Sequence, residues 1–298
     1  MLRIIADSTC DISKEDARKM GIQIVPISVR FGNEEFLDGV EITHEEFYTR
    51  LAECDELPKT SQPSPDTFMK VFNEAVAAGD DVLGIFISSD LSGTYQSACL
   101  AALDVEEETG KKLRSEVDSR SASIGTALLI REAVKLRDAG VNVSDIAAAC
   151  TEMSKYIKLT AVVGSLKYLK MGGRLSGAAA FAGTMLHITP VVSIEDGKVV
   201  VIGKTRGKKA AEKLMHDKLT KDGLSLTRDF MFGHINCSES LETFINKSLT
   251  YISDVNGNVC VSSIGCSVGT HVGPGTYGIA YVEAAESGMN RESIVKTA

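Results

Sequence analysis

The side chains best suited to chemistry sit in a few short polar turns, placed where a strand ends or just before a helix start. In the first half these are Asp7 to Asp11 (DSTCD), Thr60 to Ser64 (TSQPS) and Ser88 to Thr94 (SSDLSGT). Hydroxyls beside free backbone N–H groups at a helix start form a ready seat for a carboxylate or phosphate. A single serine in such a place also serves as an ordinary helix cap. The second half contributes charge. Gly172, Gly173 and Arg174 form one basic turn, and Lys204, Thr205 and Arg206 another. A guanidinium fork suits oxyanion contact better than a lysine does. His271 stands in the glycine-crowded segment GTHVGPGTYG, where backbone can come close to a ligand. There it would donate a hydrogen bond or carry charge beside an anion.

Two pattern matches point elsewhere and fail on context. Gly265 to Gly269 (GCSVG) fits the GxSxG nucleophile elbow, but that motif needs a helix after the serine, then an acid and a histidine downstream. The segment THVGPGTYG, with Pro274 and its glycines, reads as non-helical. His271 follows Ser267 with no acid between them. Gly273 to Gly278 fits GxGxxG, yet it opens no helix and lies too near the C-terminus to leave a βαβ unit behind it. The five histidines show no HExxH, the seven cysteines no CxxC, and no GxxxxGK[ST] loop occurs. Neither a metal centre nor a P-loop nucleotide site is expected.

The elements that must position these turns alternate between strand and helix. Leu2–Ala6, Ile22–Val29, Val82–Ile87 and a stretch near Leu113–Val117 read as strands, with Pro26 marking an edge or bulge in the second. Thr43 to Glu46 is a capping box opening a helix through Glu53, and Ser64-Pro65-Asp66 begins another. Further helices are expected from Gly93 to about Leu103 and from Ser121 to Asp138. Such alternation implies a parallel sheet with helical crossovers. Beyond about Lys155 the texture changes. A strand is read at Ala161–Gly164, a short helix at Ser165–Met171, and a hairpin at Thr189–Ile194 and Val199–Gly203, turning on Asp196-Gly197. A helix at Gly207–Thr220, a strand at Asp229–Ile235, a helix at Ser238–Ser248 and strands at Val259–Ile264 and Gly278–Val282 complete the reading. The fold class is therefore α/β with two domains: residues 1–155 with a mainly parallel, three-layer sheet, and residues 156–298 with a mixed sheet.

Composition narrows the function classes. With 298 residues, 44% hydrophobic and 24% charged, the chain matches an ordinary globular protein. A net charge of −8 argues against a nucleic-acid binder working through bulk charge. No stretch reaches the roughly 18 apolar residues of a membrane span, the N-terminus lacks a signal-peptide core, and the scattered cysteines suit a cytoplasmic location. Charge is unevenly spread: Lys155 to Lys218 holds 12 basic and 4 acidic residues, leaving −16 for the remainder. That segment would meet an anionic head group, a nucleotide or an acidic partner.

The blocks IIADSTCDI (4–12), TSQPSP (60–65), SSDLSGTYQSA (88–98), VDSRSASIG (117–125), LKMGGRLSG (169–177), KTRGKKA (204–210) and GTHVGPGTYGIAY (269–281) run nearly end to end. Together they resemble the DegV family, which includes the FakB fatty-acid-binding subunits of bacterial fatty acid kinase. Asp90 departs from the pattern, standing where a small residue is usual, and Cys266 and Ser267 replace less polar residues. The resemblance implies a two-domain α/β carrier holding one long-chain fatty acid in a tunnel. A separate kinase subunit would convert the carboxylate to an acyl-phosphate. By motif, Thr60, Ser61, Ser92, Gly93, Thr94 and His271 would hold the carboxylate, and Arg206 would meet the head group or the acyl-phosphate. Arg174 and Lys170 would belong to the surface that receives the kinase. It implies no catalytic residue, no metal and no cofactor beyond the bound lipid, with only transient membrane contact. The apolar segment Ala178–Leu186, with Phe181 and Met185, is a candidate tunnel wall. A phosphotransfer enzyme acting on a small hydroxylated substrate is the alternative left open by the anion-ready turns.

Overall fold

Alternate residues of two central strands build the first half of the molecule. The computed structural model describes residues 1–113, 115–177, 188–225, 228–250, 252 and 257–284. The N-terminal half runs β1 (Leu2–Asp7), a single 3-10 turn, α1 (Lys14–Met20), β2 (Ile22–Val25), β3 (Ser28–Phe31), β4 (Glu34–Leu37), α2 (His44–Glu53), β5 (Lys59–Ser61), α3 (Pro65–Ala77), β6 (Asp81–Phe86), α4 (Thr94–Thr109), β7 (Glu116–Asp118), α5 (Ile124–Asp138) and α6 (Val143–Met153). The remainder runs β8 (Ile157–Val162), α7 (Lys167–Met171), β9 (Thr189–Glu195), β10 (Lys198–Thr205), α8 (Lys208–Asp222), β11 (Phe230–His234), α9 (Ser238–Ser248), β12 (Val259–Ser263), α10 (Cys266–Val272) and β13 (Tyr277–Val282).

The first sheet is parallel throughout, in the order β2-β1-β6-β7. Ile5, Val82 and Phe86 point to one face, against Phe68 and Phe72 of α3 and the alanines of α4. Ile4, Ala6, Leu83 and Ile85 point to the other, against α5 and α6. This two-residue period is what strand geometry dictates. The second sheet is mixed, in the order β10-β9-β8-β13-β11-β12, with only the β11–β12 pair parallel. One face carries Phe230, Phe232, Tyr277 and Ile279 against α8 and α9. The other turns Leu159, Ala161, Val192 and Ile194 toward the cluster that holds α5. Eleven of the residues of α5 are buried, and it touches β1 and β6 on one side and β8, β11 and β13 on the other. A helix with this much of its surface buried belongs to the core of both sheets.

The α/β class, the parallel sheet and the mixed sheet match the sequence expectation. The hairpin at Asp196-Gly197 is present, with both residues at positive φ (48° and 82°), as a type I′ turn requires. Other details differ. The single strand expected at Ile22–Val29 is two strands in two sheets, because Pro26 interrupts the ladder and the chain leaves the parallel sheet. β3 then pairs with β4 and β5 in a small antiparallel sheet. α1 and α6, capped by Ser13 and Asn142, add two helices beyond those expected. Among the described residues no helix is long and apolar enough to cross a membrane.

The expectation that the chain after Ser267 is non-helical is overturned. Cys266–Val272 forms α10, which stops at Gly273 with φ +75°. The breakers lie beyond the last helical turn, where a left-handed glycine and a following proline end a helix rather than prevent one.

Candidate functional site

Between the inner face of the second sheet and the loops of the first lies a cavity enclosing about 920 Å³ of atom-free space, its open mouth included. Leu159, Ala161 and Val163 line it from β8 and just beyond, Val192 and Ile194 from β9, and Ile87, Leu91, Ala122 and Ile124 from the opposite side. The alternation of β8 aims its apolar residues here and leaves Thr160 and Val162 for the other face. At one end the lining turns polar, with Thr60, Ser92, Arg174, Ser267 and His271.

The polar end is built on α10. The N–H groups of Gly265, Cys266 and Ser267 donate to carboxylates of the other half of the chain: Asp11 at 2.8 Å, and Asp38 at 3.2 and 3.0 Å. Tyr48 of α2 donates its hydroxyl to Ile264 O at 3.0 Å. A Cβ at Gly269 would lie 2.3 Å from that same hydroxyl, so only glycine lets α10 settle on α2. Ser267 and His271 are four residues apart on one helix face. His271 Nε2 is 2.9 Å from Thr60 Oγ1 on β5. The Ser267 hydroxyl and His271 Nδ1 are buried without a hydrogen-bond partner. Buried polar atoms rarely stay unpaired, so these two are where a polar ligand group fits.

Arg174 flanks the pair. Its Nε donates to Leu91 O at 3.1 Å and an Nη to Gly172 O at 2.7 Å, which fixes the guanidinium at the cavity wall. A side chain at Gly172 would come within 2.3 Å of His271 Nδ1, which accounts for the first glycine of the GGR turn. Ser92 lies opposite, 2.9 Å from the hydroxyl of Thr94. Burial, with a smaller contribution from Arg174, lowers the His271 pKa to about 4. The ring is therefore neutral at pH 7. A histidine whose folded pKa lies below its unfolded value of 6.5 contributes least cost above 6.5 and destabilises the fold as pH falls toward 4. Urea denaturation should show wild type losing stability relative to His271→Gln between pH 7.5 and 4.5. A constant difference would place the titration elsewhere.

Of the residues singled out from sequence, Thr60, Ser92 and His271 line the cavity, and so does Arg174, which was expected on the kinase-receiving surface. Ser61 is exposed on the opposite side of β5, Gly93 packs against Gln62, and Thr94 is buried at the start of α4; none of the three lines it. Arg206 is exposed just past β10 and Lys170 is exposed on α7, both outside the lining. The segment Ala178–Leu186, with Phe181 and Met185, lies outside the described residues. Ser267 and the β8–β9 wall are additions. Ser267 carried a signal in the GxSxG match, and β12, Gly265 and α10 do form a strand–turn–helix. The hydroxyl makes no bond to a base, since its neighbour His271 is turned to Thr60 through Nε2. The nucleophile–base pair of an elbow is not formed.

The family model described as "Uncharacterised protein, DegV family" matches residues 1–284. The chain belongs to the DegV family. A DegV domain-containing protein of Clostridium acetobutylicum is 36% identical over 290 residues, 94% of this chain and 97% of its own. Among solved structures, the DegV family protein of Thermus thermophilus, described for its fatty acid binding, superposes with a TM-score of 0.85 at 32% identity, covering 94% of this chain and 99% of that one. A stearic-acid-binding protein of Eubacterium ventriosum gives a TM-score of 0.86 at 29% identity, covering 96% and 100%.

Proposed function

We propose that this DegV-family chain binds one long-chain fatty acid, with the acyl tail in the apolar cavity and the carboxylate at its polar end. The observation that carries the reading is the pair of orphaned buried atoms, Ser267 Oγ and His271 Nδ1, at the end of an otherwise apolar cavity. When the Thr60 hydroxyl donates to Nε2, the ring proton resides on Nδ1, which lies beside Gly172 at the polar end of the cavity. Thr60 thereby makes the neutral histidine a donor. Ser267 supplies a second donor and Ser92 stands across the gap, while Arg174 adds the positive charge that a carboxylate requires. About 15 buried methylenes would gain roughly 12 kcal/mol before association costs, so the lipid should survive purification.

The same reading extends to a partner. The protein would present its carboxylate, in the cytoplasm, to a separate kinase subunit that forms the acyl-phosphate. Arg206, exposed and near the basic β10–α8 segment, would contact the phosphorylated head group or the kinase. The exposed Lys170 and Met171 of α7 would take part in that docking or in brief membrane contact.

Organic extraction of the unheated protein followed by mass spectrometry tests the first part. About one fatty acid per chain is expected. A protein that is empty and also fails to take up oleate or palmitate would sink the reading and favour a phosphotransfer enzyme instead. For the second part, Ser92→Ala should lower lipid retention, whereas Arg206→Ala should lower phosphorylation by a supplied fatty acid kinase and leave retention intact. Equal effects on both readouts would remove the division of roles.

A further inference from the structure

We propose that Asp38, His44 and Cys266 form a binding site for one zinc-class divalent metal ion, separate from the lipid cavity. The three residues come from three elements: the segment after β4, the first residue of α2 and the first residue of α10. One carboxylate oxygen, one ring nitrogen and the sulfur lie within 4.8 Å of one another. Sequence spacing hides the group, since 228 residues separate Asp38 from Cys266.

Each donor has capacity to spare. Asp38 Oδ2 accepts from Ser8 and Ser267, Oδ1 accepts the Cys266 N–H, and the carboxylate also takes the Cys266 thiol, which metal binding would release. A carboxylate offers about four lone-pair sites, so one on Oδ1 is then free. Neither ring nitrogen of His44 has a hydrogen-bond partner among the described residues. The Cys266 thiol reaches Thr43 O at 3.9 Å and hydrogen-bonds the Asp38 carboxylate, a proton that a bound metal would replace. Gly265 leaves the space between them empty: a Cβ there would sit 3.0 Å from His44 Nε2 and 3.5 Å from Asp38 Oδ1. The Asp11 carboxylate also lies 3.0 Å from that point.

The donor set selects the metal class. Sulfur, nitrogen and oxygen together suit zinc and its neighbours, whereas calcium and magnesium require oxygen shells. Bonds of about 2.0–2.3 Å draw the ligands closer than they stand here. His44 is half-buried at a helix start and able to close that gap by side-chain rotation. A groove lined by Gly39, Val40, Thr43 and His44 gives solvent access, leaving a fourth position for water. On binding, the Cys266 thiol gives its proton to solvent and the thiolate bonds the metal. The ion would then tie α2 to the start of α10.

Cobalt(II) titration of the reduced, chelator-treated full chain tests this. One equivalent should give tetrahedral visible bands and a thiolate-to-cobalt charge-transfer band, both removed by zinc. Cys266→Ser should abolish the charge-transfer band. His44→Ala, which keeps all seven cysteines, should weaken binding about 100-fold, the upper range even for a group that only orients a ligand. Absence of the thiolate band with protein in excess would overturn the proposal. So would a band of unchanged affinity in His44→Ala, because the metal would then sit at other cysteines.

Discussion

Ala161→Phe is expected to leave the protein folded and nearly free of lipid. Ala161 sits one residue from the end of β8, between Gly278 of β13 and Val192 of β9, with its methyl turned into the cavity. A benzyl group there projects into the space the acyl chain would fill, and aromatic residues suit strand backbone well. Because the ring occupies existing empty volume, the cost of overpacking should be small. Retained fatty acid, measured by extraction and mass spectrometry, should fall at least about 100-fold, a loss of ~2.7 kcal/mol in binding. The melting temperature of the variant should stay close to that of delipidated wild type. Undiminished lipid content would mean that no acyl chain runs past β8.

The second large effect is on stability. Asp11 has φ +52° and a side chain committed at both oxygens, to the Gly265 N–H at 2.8 Å and to the Ser123 hydroxyl. Its backbone carbonyl accepts from Ser262. Asp11→Ala would leave two buried donors unpaired, at about 1–3 kcal/mol each, and place alanine in a left-handed conformation at about 1–2 kcal/mol more. Denaturant unfolding should therefore show a loss of roughly 3–8 kcal/mol on these values. Asp11→Asn should retain most of the stability, because asparagine keeps an acceptor for Gly265 and tolerates positive φ. Burial, with smaller contributions from Asp38 and Asp7, pushes the Asp11 carboxyl well above the usual carboxylate range. A raised folded pKa costs stability as pH rises through it, so the asparagine variant should compare more favourably at pH 7 than at pH 4. Equal losses in the two variants would show that charge, not hydrogen bonding, holds this junction.

Much of the fold was legible because its signals are local. The capping box at Thr43 and Glu46, the Asp196-Gly197 turn and the apolar run of β6 each depend on residues within a few positions of one another. The break at Pro26 was visible as a proline, but the second sheet that β3 joins depends on partners at β4 and β5. α10 was misread because Pro274 and Gly273 were counted against the helix they in fact terminate. The site divides in the same way. Thr60, Ser92 and His271 were marked by motif, whereas the guanidinium of Arg174 reaches the wall only because Leu91 O receives it across 83 residues. Ser267 needed its neighbours to be read, since an unpaired hydroxyl is a property of surroundings rather than of sequence.

Helix α5 gives the molecule its mechanical character. Two lobes joined by a polar seam could part like a clamshell to take up cargo. Here the seam is a helix whose apolar flanks are shared by both sheets, so parting the lobes would uncover the eleven residues it buries. A ligand entering the cavity would therefore pass between small surface pieces, with the two sheets kept together by α5.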